Sequence, residues 1–213
     1  MTGTRPLILV TSFEPFGGSA VNPTIAIARL LAAMPCAAGS RTYATLPVVT
    51  GIGTGSAWAA VEPVLRELRP DAVVALGESA IAGRVNFERV AVNLRDARIA
   101  DNSGVQLVDA PVVDGAAPAH FSTLPVREMT AACQAAGVPA QLSLSAGAFL
   151  CNELMYRLLD RGEPRACGFV HVPQLPEQAF ARGGPSMDAA TSARGVHAAL
   201  EALAAQLAAG ARA

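Results

Sequence analysis

Charge is scarce in this chain. Only 15% of its 213 residues are Asp, Glu, Lys or Arg, and 16 basic residues nearly balance 17 acidic ones. The basic residues form no stripe, which argues against a nucleic-acid partner. Apolar residues make up 52% of the chain, yet none of their runs approaches the roughly 20 needed to cross a bilayer. The apolar stretch near the start, Pro6 to Val10, is too short for a signal peptide. The cysteines Cys36, Cys133, Cys151 and Cys167 are scattered, with no Cys-x-x-Cys pair. Such spacing argues against a disulfide framework or a zinc site and fits a reducing, cytoplasmic compartment. Sparse charge leaves apolar surface to cover, which points to self-association.

What is present is alternation. Leu7-Ile-Leu-Val10 and Asp71-Ala-Val-Val-Ala-Leu76 are continuous apolar runs suited to strands buried on both faces. Arg41 to Pro47, Val85 to Leu94 (one or two strands), Pro139 to Ser145 and Ala166 to His171 add further strands. Between them lie helical stretches. Asn22-Pro23 opens one that runs to about Met34, with Asn as N-cap and Pro at the first position. Thr54 to Leu68 is another, which Pro63 is expected to kink or restart. Pro125 to Gly137, the stretch after Ser145, and Ser186–Asp188 to about Ala209 complete the set. Asp101 to Pro125 is irregular, and so long a loop in a compact domain is usually functional or part of an interface. Length and alternation together indicate one three-layer α/β domain over residues 1–213.

The chain is organised around Ser143 to Leu159. A strand runs into a small-residue turn, Ser145-Ala-Gly-Ala, and then into a helix with Leu150, Leu154, Met155, Leu158 and Leu159 at helical spacing. Cys151 falls in the first turn of that helix. The positive end of the helix dipole favours its thiolate, and free N–H groups there can hold an oxyanion. Of the three histidines, His197 falls in the last helix and His120 in the irregular loop, whereas His171 ends a buried strand. Working residues in open α/β folds gather at such strand ends. A Cys–His pair needs a third group to orient the imidazole, and both Glu88 and Asp96 qualify by position. Cys167, four residues before His171, is a rival nucleophile but reads better as a small apolar strand residue. Gly51-Ile-Gly-Thr-Gly55 has the look of a phosphate cradle, but lacks both the P-loop Lys-Ser/Thr and the dinucleotide spacing.

Four stretches together resemble the pyroglutamyl-peptidase I family of cysteine peptidases. They are Thr11-Ser-Phe-Glu-Pro-Phe-Gly-Gly18 with Val21-Asn-Pro23; Glu88-Arg-Val-Ala-Val-Asn93 with Asp96-Ala-Arg-Ile99; Ser145-Ala-Gly-Ala-Phe-Leu-Cys-Asn152 with Leu154-Met-Tyr156; and Gly168-Phe-Val-His-Val-Pro173 with Leu175-Pro-Glu-Gln178. The resemblance implies a mixed, mostly parallel twisted sheet, assembly as a dimer or tetramer, and no metal or organic cofactor. It implies a triad of Cys151, His171 and Glu88, so Glu88 is preferred to Asp96. It implies an oxyanion site from the Cys151 N–H and Arg98, and a substrate pocket containing Phe13, Phe16 and Asn22. The implied reaction removes N-terminal pyroglutamate from peptides. A thiol amidase acting on another small lactam or amide, and a weakened pyroglutamyl-binding scaffold, are the alternatives.

Two departures from the family pattern bear on the pocket. Gly77-Glu78-Ser79 stands where the family has Gly-Gln-Ala, and a glycine–arginine pair is displaced to Gly83-Arg84. An ionised Glu78 accepts hydrogen bonds but donates none. Placed beside Phe13 and Phe16, it would be partly desolvated, which favours its neutral, donating form. On that expectation Glu78 lines the pocket and Glu78→Gln improves turnover.

Overall fold

The computed structural model describes residues 5–210. Its elements, in chain order, are β1 (Leu7–Phe13), α1 (Pro23–Ala33), β2 (Ser40–Leu46), α2 (Ala57–Leu68), β3 (Ala72–Ser79), β4 (Val85–Glu88), β5 (Val90–Val92), β6 (Ala119–Phe121), α3 (Val126–Ala135), β7 (Ala140–Ser143), α4 (Leu150–Asp160), β8 (Ala166–Pro173), α5 (Pro176–Arg182) and α6 (Ala189–Gly210). Six strands form one sheet in the order β2-β1-β3-β8-β4-β7. Neighbours are parallel except β4 and β8, which run antiparallel. The sheet is therefore mixed and mostly parallel, as expected.

Strand alternation divides the core into two layers. Ile8, Val10, Val74, Leu76 and Val170 meet Ile27 and Leu31 of α1, Met129 of α3 and Val196 and Leu200 of α6. On the opposite face Leu9, Val73, Ala75, Cys167 and Phe169 meet Val61 and Leu65 of α2 and Leu150, Leu154 and Met155 of α4. Central β3 and β8 are buried along almost their whole length, which is why they read as unbroken apolar runs.

Local signals account for several boundaries. Asn22 caps α1, its side chain accepting from the Thr24 N–H, with Pro23 in the first turn. Ser56 caps α2, which continues through Pro63 to Leu68 without a restart. The Asp188 carboxylate accepts from the Thr191 N–H at the start of α6. The irregular stretch after Asp101 contributes one short strand, β6, which pairs antiparallel with β5 in a separate two-stranded ribbon. Helix α5 falls between the strand end at Pro173 and the Gly183-Gly184 break, a stretch that the sequence pattern leaves unassigned. Pro176 in its first turn is a start signal of the same kind as Pro23.

Candidate active site

Cys151 lies in the first turn of α4. The N-cap residue, Phe149, supplies no side-chain acceptor. Among the described residues, the N–H groups of Leu150, Cys151 and Asn152 find no hydrogen-bond acceptor, and the first bonded amide is Glu153, which donates to the Phe149 carbonyl at 3.1 Å. An uncapped start leaves donors and the positive end of the dipole facing outward beside a half-buried thiol. The bend just before it needs Gly147, whose φ of 77° is in the left-handed region.

The sheet brings His171 to that thiol. Gly77 of β3 is in register with His171 of β8. A Cβ on Gly77 would stand 3.0 Å from the Cys151 sulfur and 2.6 Å from the Phe169 ring. Only a glycine lets the helix come down so close to the sheet. The His171 ring lies within reach of Cys151 and sits 4.9 Å from the Phe169 ring.

Glu88 arrives from the opposite direction. Asn86 of β4 is directly opposite His171 in the antiparallel pair, so Glu88 is its diagonal neighbour on the same face. The His171 Nδ1 and Glu88 Oε1 are 2.9 Å apart. Glu88 is 1% exposed and its second oxygen, Oε2, has no hydrogen-bond partner among the described residues. The carboxylate thus has one close polar partner, the imidazole. Burial by itself would push the His171 pKa down. Interaction with the Cys151 sulfur and, after it, with Glu88 overcomes that and pushes it up to about 10. Asp96, the other candidate by position, is exposed, and its backbone N–H is tied to the Ala148 carbonyl at 2.8 Å.

The remaining expected residues divide. Phe13 is buried and stacks on Phe169 with centroids 6.3 Å apart, so it forms a wall behind the site as part of the core. Phe16 is half-buried and packs at 6.3 Å against Phe149, an aromatic neighbour of Cys151 that the sequence pattern did not single out. Asn22 holds the loop to α1, its amide donating to the Glu14 carbonyl at 3.0 Å while its oxygen accepts from the N–H and the hydroxyl of Thr24, which leaves the second amide N–H without a partner among the described residues. Arg98 is exposed and makes no hydrogen bond or ion pair among the described residues. Its segment lies between the α4 turn, through the Asp96–Ala148 bond, and the aromatic loop, through Ile99 against Gly17. Its guanidinium is accordingly uncommitted.

Glu78 is a correction. It follows Gly77 on β3, so its side chain leaves the sheet on the face opposite Cys151. Its Oε1 is paired with the Arg182 guanidinium and its Oε2 accepts from Gln178 at 3.0 Å. The side chain is engaged by a guanidinium and an amide on that other face, which removes the reason for expecting a donating acid beside Phe13 and Phe16.

The other chemical groups are structural. Cys167 is buried, and burial pushes its thiol up to about 11. His120 pairs with Asp160 at 2.9 Å and lies against Tyr156. His197 contacts Arg41 at 3.0 Å, and burial followed by that charge lowers its pKa. The glycine-rich loop is filled by a resident anion, since the Gly51 N–H and the Thr50 hydroxyl both donate to buried Glu153. Asn152 clamps β5 to α4, exchanging bonds of 2.9 and 2.8 Å with Val92 and reaching the Leu94 carbonyl at 2.9 Å. Among the described residues there is no cluster of three or more His, Cys, Asp or Glu arranged for a metal.

A thiol at an uncapped helix start, a histidine against it and a buried carboxylate behind the histidine form a constellation suited to acyl transfer. A family model described as pyroglutamyl peptidase matches residues 7–206. The chain belongs to that family. It is 44% identical over 200 residues to a pyrrolidone-carboxylate peptidase of Gloeobacter violaceus, covering 92% of this chain and 96% of that one. The identity to one of Pyrococcus furiosus is 42% over 175 residues, with 80% and 82% covered. Among solved structures, pyroglutamyl peptidase I from Bacillus amyloliquefaciens superposes with a TM-score of 0.88 at 30% identity, covering 94% of this chain and 96% of that one. A mutant pyrrolidone carboxyl peptidase from Pyrococcus furiosus gives 0.86 at 37%, with 94% and 99% covered. Family membership accounts for the layered fold and for the order of the four sequence stretches.

Proposed function

We propose that this chain is a cysteine peptidase that removes N-terminal pyroglutamate from peptides through Cys151, His171 and Glu88. The observation that carries the reading is the 2.9 Å contact of Glu88 with a His171 ring whose other edge is left for the Cys151 thiol. His171 takes the thiol proton, and the Cys151 sulfur attacks the carbonyl that follows the lactam ring. The oxyanion is held by the free Cys151 N–H and by the uncommitted Arg98 guanidinium. His171 then gives the proton to the leaving amine as the C–N bond breaks, leaving a thioester. Water, deprotonated by His171, hydrolyses the thioester, and the sulfur leaves as thiolate, releasing pyroglutamate. Glu88 fixes the tautomer and stabilises the imidazolium at each stage.

The substrate end agrees with this assignment. Pyroglutamate is a flat neutral lactam without an α-ammonium, so its pocket needs apolar walls and no carboxylate facing it. Phe16 and Phe149 supply such walls beside Cys151, backed by Phe13. Asn22 serves by holding the aromatic loop to α1. A cytoplasmic homo-oligomer acting on pyroglutamyl peptides, with one domain over residues 1–213 and no cofactor, completes the proposal. The deciding experiment is turnover of a pyroglutamyl-coumarin reporter beside prolyl and alanyl controls. Release from the pyroglutamyl reporter alone is expected. Release from another lactam or simple amide with none from pyroglutamyl would convert the reading to a different thiol amidase.

A further inference from the structure

The residue that departs from the family pattern, Glu78, is the centre of a network that involves neither the thiol nor the imidazole. Arg182, at the end of α5, forms an ion pair with Glu78 Oε1 and donates from its Nε to the Gln174 side-chain oxygen at 2.6 Å. Gln178, one helical turn earlier, donates to Glu78 Oε2 at 3.0 Å, to the Ser19 hydroxyl at 3.1 Å and to the Val21 carbonyl at 3.2 Å. Ser19 and Val21 belong to the loop that carries Phe16. Gln174 is fully buried, and its amide reaches the Gly183 and Pro185 carbonyls at 2.7 and 3.0 Å and that of Ala80 at 3.3 Å. Gly184 is compelled there: a Cβ would meet the Ala80 oxygen and the Gln174 nitrogen at 3.0 Å each, at a φ of 89°.

The end of β3 and helix α5 are therefore tied through the Glu78 carboxylate, and the Gln178 amide that donates to it extends the tie to the aromatic loop. Glu78 side-chain exposure is 2% and Arg182 is the cation beside it. A buried carboxylate is tolerated when it is paired and hydrogen-bonded, and removing its partner is costly. A neutral glutamine at position 78 would leave Arg182 without a counter-charge. Arg182 is thus the compensation, within this chain, for the acidic residue.

We infer that the Glu78–Arg182 pair is a strut that sets the aromatic loop relative to Cys151, making Arg182 a positioning residue for substrate binding. This rests on the reading of the site as a pyroglutamyl peptidase. It reverses the expectation from sequence: Glu78→Gln alone weakens the enzyme. Substrate binding suffers more than chemistry, because the network touches the wall of the site and not the reacting atoms.

The test is a double-mutant cycle of Glu78→Gln, Arg182→Gln and the two combined, read as kcat and KM on the pyroglutamyl reporter. Each single variant is expected to raise KM roughly tenfold with kcat changed far less, and the double variant to recover most of the loss, since residues in one ion pair couple non-additively. Arg182→Lys should recover little, because a single ammonium does not reproduce a fork that serves Glu78 and Gln174 at once. Purely additive losses, or three variants equal to wild type, would overturn the strut. Hydrogen exchange of residues 13–22 decides the matter without substrate: faster in each single variant, slower again in the double. If the wild type cleaves no pyroglutamyl reporter, the functional reading fails while exchange still decides the strut; equal exchange in all four proteins overturns it.

Discussion

Gly77→Ala is the sharpest test of how the reaction centre is assembled. The glycine lies on β3 beneath the Cys151 sulfur at the start of α4. The added methyl would be 2.6 Å from two carbons of the Phe169 ring and 3.0 Å from the Cys151 sulfur. Ordinary carbon–carbon contact lies at ~3.5–4.0 Å, so the ring has to retreat by about 1 Å. Phe169 has little room: it is fully buried, stacks on Phe13 at 6.3 Å and lies 4.9 Å from the His171 ring. Displacement therefore passes to the histidine and the thiol, the two groups whose spacing governs the proposed proton transfer. Overpacking a core of this kind costs about 1–3 kcal/mol, which lowers the unfolding midpoint of a chain this size by roughly 2–12 °C. Activity should suffer more, since a misplacement near 1 Å at the reacting groups costs about 100-fold. Reporter kinetics measured well below the midpoint, beside a thermal melt, separate the two effects. Reduced activity that merely tracks the folded fraction, or kcat within about threefold of wild type, would show that the close approach of β3 does not set the Cys151–His171 geometry.

Cys151→Ser should abolish turnover while Cys167→Ser retains most of it, because burial holds the Cys167 thiol near 11; the reverse result would reassign the nucleophile. Glu88→Gln should lower kcat by about 10²–10⁴ with little change in KM, as loss of the orienting carboxylate does in related triads; a change confined to KM would place Glu88 in substrate binding. The same variant should move the alkaline limb of the pH–rate profile to lower pH. His171 is charged below about 10, Glu88 is among the groups raising that value, and its removal discharges the ring earlier; an unmoved limb would contradict this. Asp101→Asn tests the scaffold. Hydrogen bonds from Thr50, Ser103 and Val105 overcome burial and lower the Asp101 pKa, so its stabilisation is present above the usual carboxylate value and is lost as pH falls through the lowered one. The variant should have a lower midpoint at neutral pH and converge with wild type in acid; parallel curves at all pH values would refute the assignment.

The sequence carried the layers and the place of Cys151 at the start of α4 because those signals are local. Asn22-Pro23, the apolar runs of β3 and β8, and the spacing of Leu150, Leu154 and Leu158 each lie within one element. Glu88 was harder. It is 83 positions from His171 and meets it because β4 runs antiparallel to β8 with Asn86 opposite the histidine. Strand direction is set by topology, and nothing in residues 85–96 distinguishes Glu88 from Asp96 without it. Asn93 and Asn152 were visible only as parts of shared stretches. The structure gives them work as backbone clamps, Asn93 accepting from the Val112 and Val113 N–H groups and Asn152 binding Val92 and Leu94.

Position 78 shows why the expectation there reversed. A glutamate in place of a glutamine, taken alone, is an acceptor lacking a donor, and the physical options are to point it at solvent or to neutralise it. The third option requires a cation, and that cation lies on a helix 104 positions away that the sequence pattern did not assign. Had α5 been recognised from Pro176 and the Gly183-Gly184 stop, Gln178 and Arg182 would have fallen one turn apart on one face. Such a pair presents an amide and a guanidinium together, the donors that a buried carboxylate needs. The chemistry of Glu78 is therefore a property of two segments at once, and a substitution at either is interpretable only with the other in place.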